Sequence, residues 1–129
     1  MKATLPNEYV SNGRNYGGEK EMLASYILIG IGASRSDVNE LAVLRIYSAR
    51  SRKASRIYAS IWVHNKCAGS GWAGGYGYHK ASAAALEALT NAGIKLDEPI
   101  SGRGDNAIAD ALRAIGIALG YDTVRVFTA

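Results

Sequence analysis

The chain has few of the residues that build disulfide frameworks and metal centres. Its 129 residues include one cysteine, Cys67, and two histidines. A single cysteine excludes an internal disulfide and suits a reducing compartment. Two histidines and one cysteine without a ligand pattern do not make a zinc site. The sequence therefore predicts neither a disulfide scaffold nor a bound metal or cofactor.

Long apolar segments are missing too. No apolar run approaches the roughly 20 residues that cross a membrane. The first ten residues, MKATLPNEYV, lack the apolar centre of a signal peptide. We therefore expect a soluble intracellular protein without a membrane partner.

A catalytic set is also not apparent. His64 and His79 lie in unlike contexts and not in paired His-x-Thr motifs. No spacing of the carboxylates brings two into one site. These scattered carboxylates are Asp37, Glu87, Asp97, Glu98, Asp105 and Asp110. We predict that the protein is not an enzyme.

What the chain does contain is enough apolar surface for one core. Hydrophobic residues make up 48% of the sequence, which fits a single domain over residues 1–129. The formal net charge of +4 is mildly basic. It permits an anionic partner without requiring one.

The hydrophobic patterns predict strands first and helices later. Residues 24–32, 41–48 and 56–64 are typical of strands, and 122–128 of a final strand. Residues 81–93 and 104–120 have helical periodicity, with Ser82 and Asp105 as candidate caps and Gly93 and Gly120 as stops. We predict an α+β fold, in which an antiparallel sheet has both helices packed on one face.

The segment 56–64 alternates cleanly between two faces. Its first face is aliphatic and predicts core, while the second is aromatic and predicts contact with a partner or a second subunit. The aliphatic positions are Ile57, Ala59, Ile61 and Val63, and the others are Tyr58, Ser60, Trp62 and His64.

A glycine–aromatic segment, CAGSGWAGGYGYHK, runs from Cys67 to Lys80 into the first helix. We interpret it as a loop whose rings stack on a flat ligand beside a helix start. The alternative is a lid that folds back on the sheet. The candidate ligand-binding residues are Trp72, Tyr76, Tyr78, His79 and Lys80.

A second glycine-containing turn, SGRGD, precedes the second helix. Gly102 and Gly104 flank Arg103, so a phosphate could approach backbone N–H groups and a guanidinium at a helix start. Asp105 opposes that interpretation, because a carboxylate there either caps the helix or holds ribose hydroxyls. Arg35 is an isolated further candidate.

Basic residues cluster around the predicted hairpin between the second and third of these strands. Such a cluster is typical of a solvated hairpin end, but it can also bind phosphates or an acidic protein face. The cluster consists of Arg45, Arg50, Arg52, Lys53 and Arg56.

The segments GWAGGYGYHKASAAALEAL and PISGRGDNAIADAL make the chain similar to the anti-Thoeris sponge family of small phage-encoded proteins. The resemblance implies sequestration of a cyclic ADP-ribose-type signal or a cyclic oligonucleotide, without cleavage, in the host cytoplasm. It implies that Tyr76 stacks on a base and Arg103 contacts phosphate or ribose, whereas the surroundings of Arg35 do not match. Pockets between subunits, and hence a homo-oligomer, are also implied.

Three functions therefore stay open. The first is a sponge for a small phosphorylated nucleotide, in which Tyr76 and Arg103 share a pocket. The second is an anti-CRISPR-type inhibitor that contacts a host defence protein. The third is a small RNA- or single-stranded-DNA-binding protein that uses the basic hairpin, Trp72, Tyr76 and Tyr78.

Overall fold

A five-stranded antiparallel sheet forms the centre of the fold. The computed structural model describes residues 1–9, 13–18, 20–32, 37–49, 56–74, 78–100 and 105–129. The strands are β1 (Ala3–Thr4), β2 (Lys20–Ile31), β3 (Val38–Ala49), β4 (Arg56–Val63), β5 (Lys66–Gly74), β6 (Lys95–Leu96) and β7 (Thr123–Thr128). The helices are α1 (Tyr78–Asn91) and α2 (Asp105–Ala118).

The central sheet has the order β5-β4-β3-β2-β7, and every neighbouring pair is antiparallel. Strands β2 to β5 follow one another as a meander, whereas β7 returns after both helices to pair with β2. Strands β1 and β6 form a separate two-stranded sheet. The predicted α+β class, with an antiparallel sheet, two helices and a final strand, is confirmed.

Both helices pack on the same face of the central sheet. Helix α1 lies against Gly69 and Gly71 of β5, and Gly116 of α2 lies against Leu28 and Val124. In one row across the sheet, Gly69 pairs with Ile61, Ile61 with Leu44, and Leu44 with Tyr26. Tyr26 is two residues from Leu28 in β2. Paired residues and residues two apart share a face, so these contacts lie on one side.

The core lies between this face and the helices. The aliphatic positions predicted for β4 are all buried, with Ala59 and Ile61 at 0% exposure. Ile108, Leu112 and Ile115 of α2 are buried too, whereas Leu119, the last residue of the predicted stripe, lies beyond the helix and is exposed.

Both helices end at the predicted glycines, but α1 does not begin at the predicted serine cap. Gly93 and Gly120 have φ values of 84° and 95°, the left-handed conformation that ends a helix. The prediction that Ser82 caps α1 is wrong: the helix begins at Tyr78 and Ser82 is buried inside it. Helix α2 begins at Asp105, whose side chain lies outside the described part of the structure.

The interpretation of Cys67–Gly74 as a loop is wrong, because these residues belong to strand β5. The physical reason is close packing. A Cβ atom on Gly71 would lie 2.6 Å from Glu87 Cβ and 2.8 Å from Ala88 N. Glycine here lets α1 approach the strand rather than making the chain mobile.

Candidate binding site

The face of the sheet opposite the helices, called here the open face, is aromatic and basic. Tyr58 of β4 pairs across the sheet with Tyr47 and with Trp72. In the next row, Ser60 pairs with Arg45 and Ser70. Trp62 follows in the third row of β4. The open face therefore alternates rings with hydroxyls and a cation.

Three cations of the sheet lie over three of these rings. Arg56 Cζ is 4.4 Å from the centroid of Trp72, and Arg45 Cζ is 4.8 Å from that of Trp62. Lys20 Nζ is 4.9 Å from the centroid of Tyr58. All three distances are within the range of an attractive cation–π contact.

Each of these cations lies diagonally across the sheet from its ring, and in one pair a small residue leaves the space between them open. Lys20 on β2 reaches Tyr58 on β4 across Ala49, its partner on β3, whose methyl group leaves the space above the sheet open. The indole of Trp62 is held by a hydrogen bond from Nε1 to Ser60 Oγ, at 3.0 Å. The open face is thus organised by cross-strand register, which fixes where each cation lies.

An arm, residues 13–18, crosses the open face. The N–H of Gly13 donates to the carbonyl of Cys67 at 2.9 Å, and that of Arg14 donates to Ser70 Oγ at 3.0 Å. Tyr16 then packs against Tyr47 and Tyr58, with ring centroids 5.9 and 4.9 Å away. Arg14 Cζ lies 5.7 Å from the Tyr16 centroid, so the arm adds a fourth cation–ring pair.

The arm also covers the Cys67 thiol. Cys67 is 6% exposed, and its thiol donates to the carbonyl of Arg14 at 3.6 Å. Burial raises the pKa of this thiol, a shift that the charge of Arg45 opposes. A thiol that is buried and protonated at neutral pH is a poor nucleophile.

One end of the sheet, called here the helix-start end, brings the other predicted features together. Strand β5 leads into α1, and α2 leads through Gly120 into β7, so each helix runs antiparallel to its strand. Since β5 and β7 run in the same direction, both helices begin at the same end. Their positive dipole ends therefore share that end.

The basic hairpin is anchored at this same end. Strand β3 stops at Ala49 and β4 begins at Arg56, which pairs with Gly74, the last residue of β5 before α1. Lys20 pairs with Ala49 in the same region. The end of β3, the start of β4 and the end of β5, which border the basic hairpin and residues 75–77, therefore all lie at the helix-start end.

The structure separates some of the predicted site residues. Trp72 is 45% exposed on the open face, because its neighbour Gly71 faces α1. Lys80 lies in the first turn of α1 and is half-buried. The sheet therefore stands between the Trp72 ring and the helix that carries Lys80.

The other predicted site residues are described in part or lie outside the described structure. Tyr78 and His79 begin α1, but their side chains lie outside the described part. Five residues lie wholly outside the described ranges: Arg35, Tyr76, Gly102, Arg103 and Gly104. The shared pocket of Tyr76 and Arg103 stays a prediction.

The pairing of cations with rings is not visible in the sequence. The sequence places Arg45 and Arg56 in a hairpin cluster and Tyr58 and Trp62 on an aromatic face, and nothing in the local pattern connects the two groups. Their alternation on β3 and β4 was visible, but pairing depends on strand register. The position of Tyr16 had no local signal, because its partners are more than 30 residues away in the chain.

A cavity of about 430 Å³ lies beside one ring of the open face. Its lining includes Arg45, Trp62, His64 and Glu40, with Asn65 from the turn between β4 and β5. It is thus bordered by a ring, a cation and a carboxylate, which suits a polar ligand more than an apolar one.

Metal and membrane sites are not found in the described ranges. No group of three or more histidine, cysteine or acidic residues is placed there to hold a metal ion. Among the described helices, none has the length and apolar character needed to span a bilayer.

Comparisons of the chain with protein-family models, with curated proteins and with solved structures gave no match.

Proposed function

We propose that the protein binds and sequesters a small phosphorylated nucleotide signal, of the cyclic ADP-ribose or cyclic oligonucleotide type, without cleaving it. In this proposal Tyr76 stacks on the base, while Arg103 and the starts of both helices hold the phosphates. Retention of the intact ligand would silence the host defence pathway that the ligand activates.

One observation carries the proposal. Both helices begin at the helix-start end, where Lys80 lies in the first turn of α1 and where the basic hairpin is anchored. The segments that contain Tyr76 and Arg103 each lead directly into one of these helix starts. An anion at this end would meet two helix dipoles together with the Lys80 ammonium group.

The test is binding and recovery of intact ligand. Cyclic ADP-ribose and cyclic dinucleotides are each mixed with the purified protein, and stability and binding are measured by thermal unfolding and calorimetry. A ligand at 100 times its Kd should raise the unfolding free energy by about 2.7 kcal/mol. After heat denaturation, mass spectrometry should recover the ligand uncleaved.

Two variants and one matched control identify the site. Tyr76→Ala and Arg103→Ala should abolish the ligand-induced shift without lowering the stability of the free protein. Arg113→Ala is the control, since Arg113 lies in the last two turns of α2 and pairs with Asp110 at 2.8 Å. The proposal fails if none of these nucleotides shifts the transition, or if the recovered ligand is cleaved.

A further inference from the structure

Both described helices lie on the other face of the sheet, so neither of them covers the open face. Within the described residues, the arm is the segment of the chain that covers it, and the arm crosses it diagonally from Cys67 to Tyr47. On one side of the arm lies the Arg45–Trp62 pair, and on the other the Arg56–Trp72 pair. Two stacking surfaces with their cations therefore remain accessible.

Three cations of the open face lack a carboxylate partner among the described residues. Lys20, Arg45 and Arg56 form no salt bridge within the described ranges. On the open face of β3, β4 and β5, the carboxylate in the described part is Glu40, close to the end opposite the helix starts. The charge around the rings is therefore available to an anion.

The rings have a spacing that suits a strand of unpaired bases. Tyr58 and Trp62 are four residues apart on β4, which is about 13 Å along a strand, and Trp72 is one strand from Tyr58, about 5 Å away. A sheet that recognises RNA through aromatic rings typically stacks two or three bases. Each stacked base needs a π face, and the adjacent phosphate needs a cation.

We propose that the open face binds single-stranded nucleic acid, with bases stacked on Trp62 and Trp72 and phosphates on the neighbouring cations Arg45 and Arg56. This site is separate from the small-ligand site at the helix starts and does not depend on it.

Binding is measured with a fluorescein-labelled 15-residue oligothymidylate and its oligouridylate counterpart, by anisotropy from 50 to 300 mM salt. The affinity for both should fall steeply with salt, and tryptophan emission should be quenched. A 15-base-pair duplex should bind more weakly, because its bases are not free to stack. Equal duplex binding, or no oligonucleotide binding at 50 mM salt, overturns the proposal.

Variants locate the contact. Trp72→Leu should weaken binding about fivefold or more, from the loss of one stacked base. Trp72 is 45% exposed, so this variant should fold normally. Arg56→Gln and Arg45→Gln should each reduce the slope of log affinity against log salt by about 0.7. Affinities unchanged in all three variants overturn the proposal.

Controls distinguish oligonucleotide binding on the open face from nucleotide binding at the helix starts and from binding of an acidic protein partner. Arg113→Gln, on the helix side, and Arg103→Ala should both leave oligothymidylate affinity within twofold. A loss in Arg103→Ala equal to that in Trp72→Leu would place the oligonucleotide at the helix starts and overturn the inference. Equally tight binding of polyglutamate would also overturn it, since the rings would then add nothing.

Discussion

At the scale of single residues, Cys67 combines burial with a position beneath the arm. Its thiol donates to the carbonyls of Arg14 and Gly69, at 3.6 and 3.8 Å. Burial raises the pKa of this thiol. The fold therefore favours the protonated form over the thiolate, and stability must depend on pH.

The sign of this dependence is fixed by the direction of the pKa shift. The contribution of Cys67 is fully present below the pKa of an unfolded thiol, about 8.5. Above that pH the unfolded chain loses its proton first, so stability falls until the folded thiol also ionises. We expect the unfolding free energy of the wild type to fall more between pH 8 and 10 than that of Cys67→Ala.

Urea denaturation at a series of pH values measures this difference. The packing lost in Cys67→Ala is the same at every pH and cancels in the comparison. Burial also raises the pKa of Tyr9, but Tyr9 is present in both proteins. Parallel pH profiles for the two proteins would contradict the prediction.

At the scale of elements, the contact of α1 with β5 depends on glycine. Gly71 faces Glu87 and Ala88, whereas a Cβ atom on Gly74 would have no atom within 4 Å. Both residues lie in the same strand, so they form a matched pair for substitution. The difference between the stability changes of the two glycine-to-alanine variants isolates the cost of lost close packing from the backbone preference of glycine.

Gly71→Ala should destabilise the protein by about 1–3 kcal/mol, because the new methyl group overlaps the helix and forces α1 away from the sheet. Gly74→Ala should be neutral or slightly stabilising, since alanine restricts the unfolded chain. Chemical denaturation at neutral pH measures both values. Equal stabilities of the two variants would show that α1 does not need the glycine.

These elements also show how far sequence reasoning reaches. Strands β2, β3, β4 and β7 and both helices were predictable, because alternation and helical periodicity report burial directly, and Gly93 and Gly120 mark helix ends by local geometry. Strand β5 was not predictable, since its glycines are selected by a helix that follows later in the chain. The four cation–ring pairs could not be predicted. Three of them depend on strand register and the fourth on the path of the arm, and the local sequence pattern supplies neither.

At the scale of the whole molecule, charge is distributed unevenly along the sheet. Among the described side chains at the helix-start end, Lys20, Arg56 and Lys80 outweigh the carboxylate of Glu21, and the positive ends of both helix dipoles add to their charge. Asp37 and Asp122 lie at the opposite end, next to the paired residues Ile31 and Thr123, and Lys66 at the start of β5 offsets part of their charge. An anionic surface should therefore be met preferentially by one end of the protein.

A pair of charge reversals tests this polarity. Lys80→Glu and Lys66→Glu both lower the formal net charge from +4 to +2, but Lys66 begins β5 at the opposite end. Lys80→Glu should elute from a phosphate-bearing cation exchanger at lower salt than Lys66→Glu. Identical elution would mean that net charge alone governs binding to the resin.

The two edges of the sheet differ in a way that bears on assembly. On β5, the carbonyl of Cys67 accepts from the arm, and that of Ser70 accepts from Asn91 Nδ2 of α1 at 2.7 Å. These bonds occupy acceptors that an added strand would use, so β5 resists edge-to-edge pairing. Strand β7 pairs with β2 on one side and exposes Phe127. Any growth of the sheet by strand addition would therefore begin at β7, and blocking that one edge would be enough to stop it.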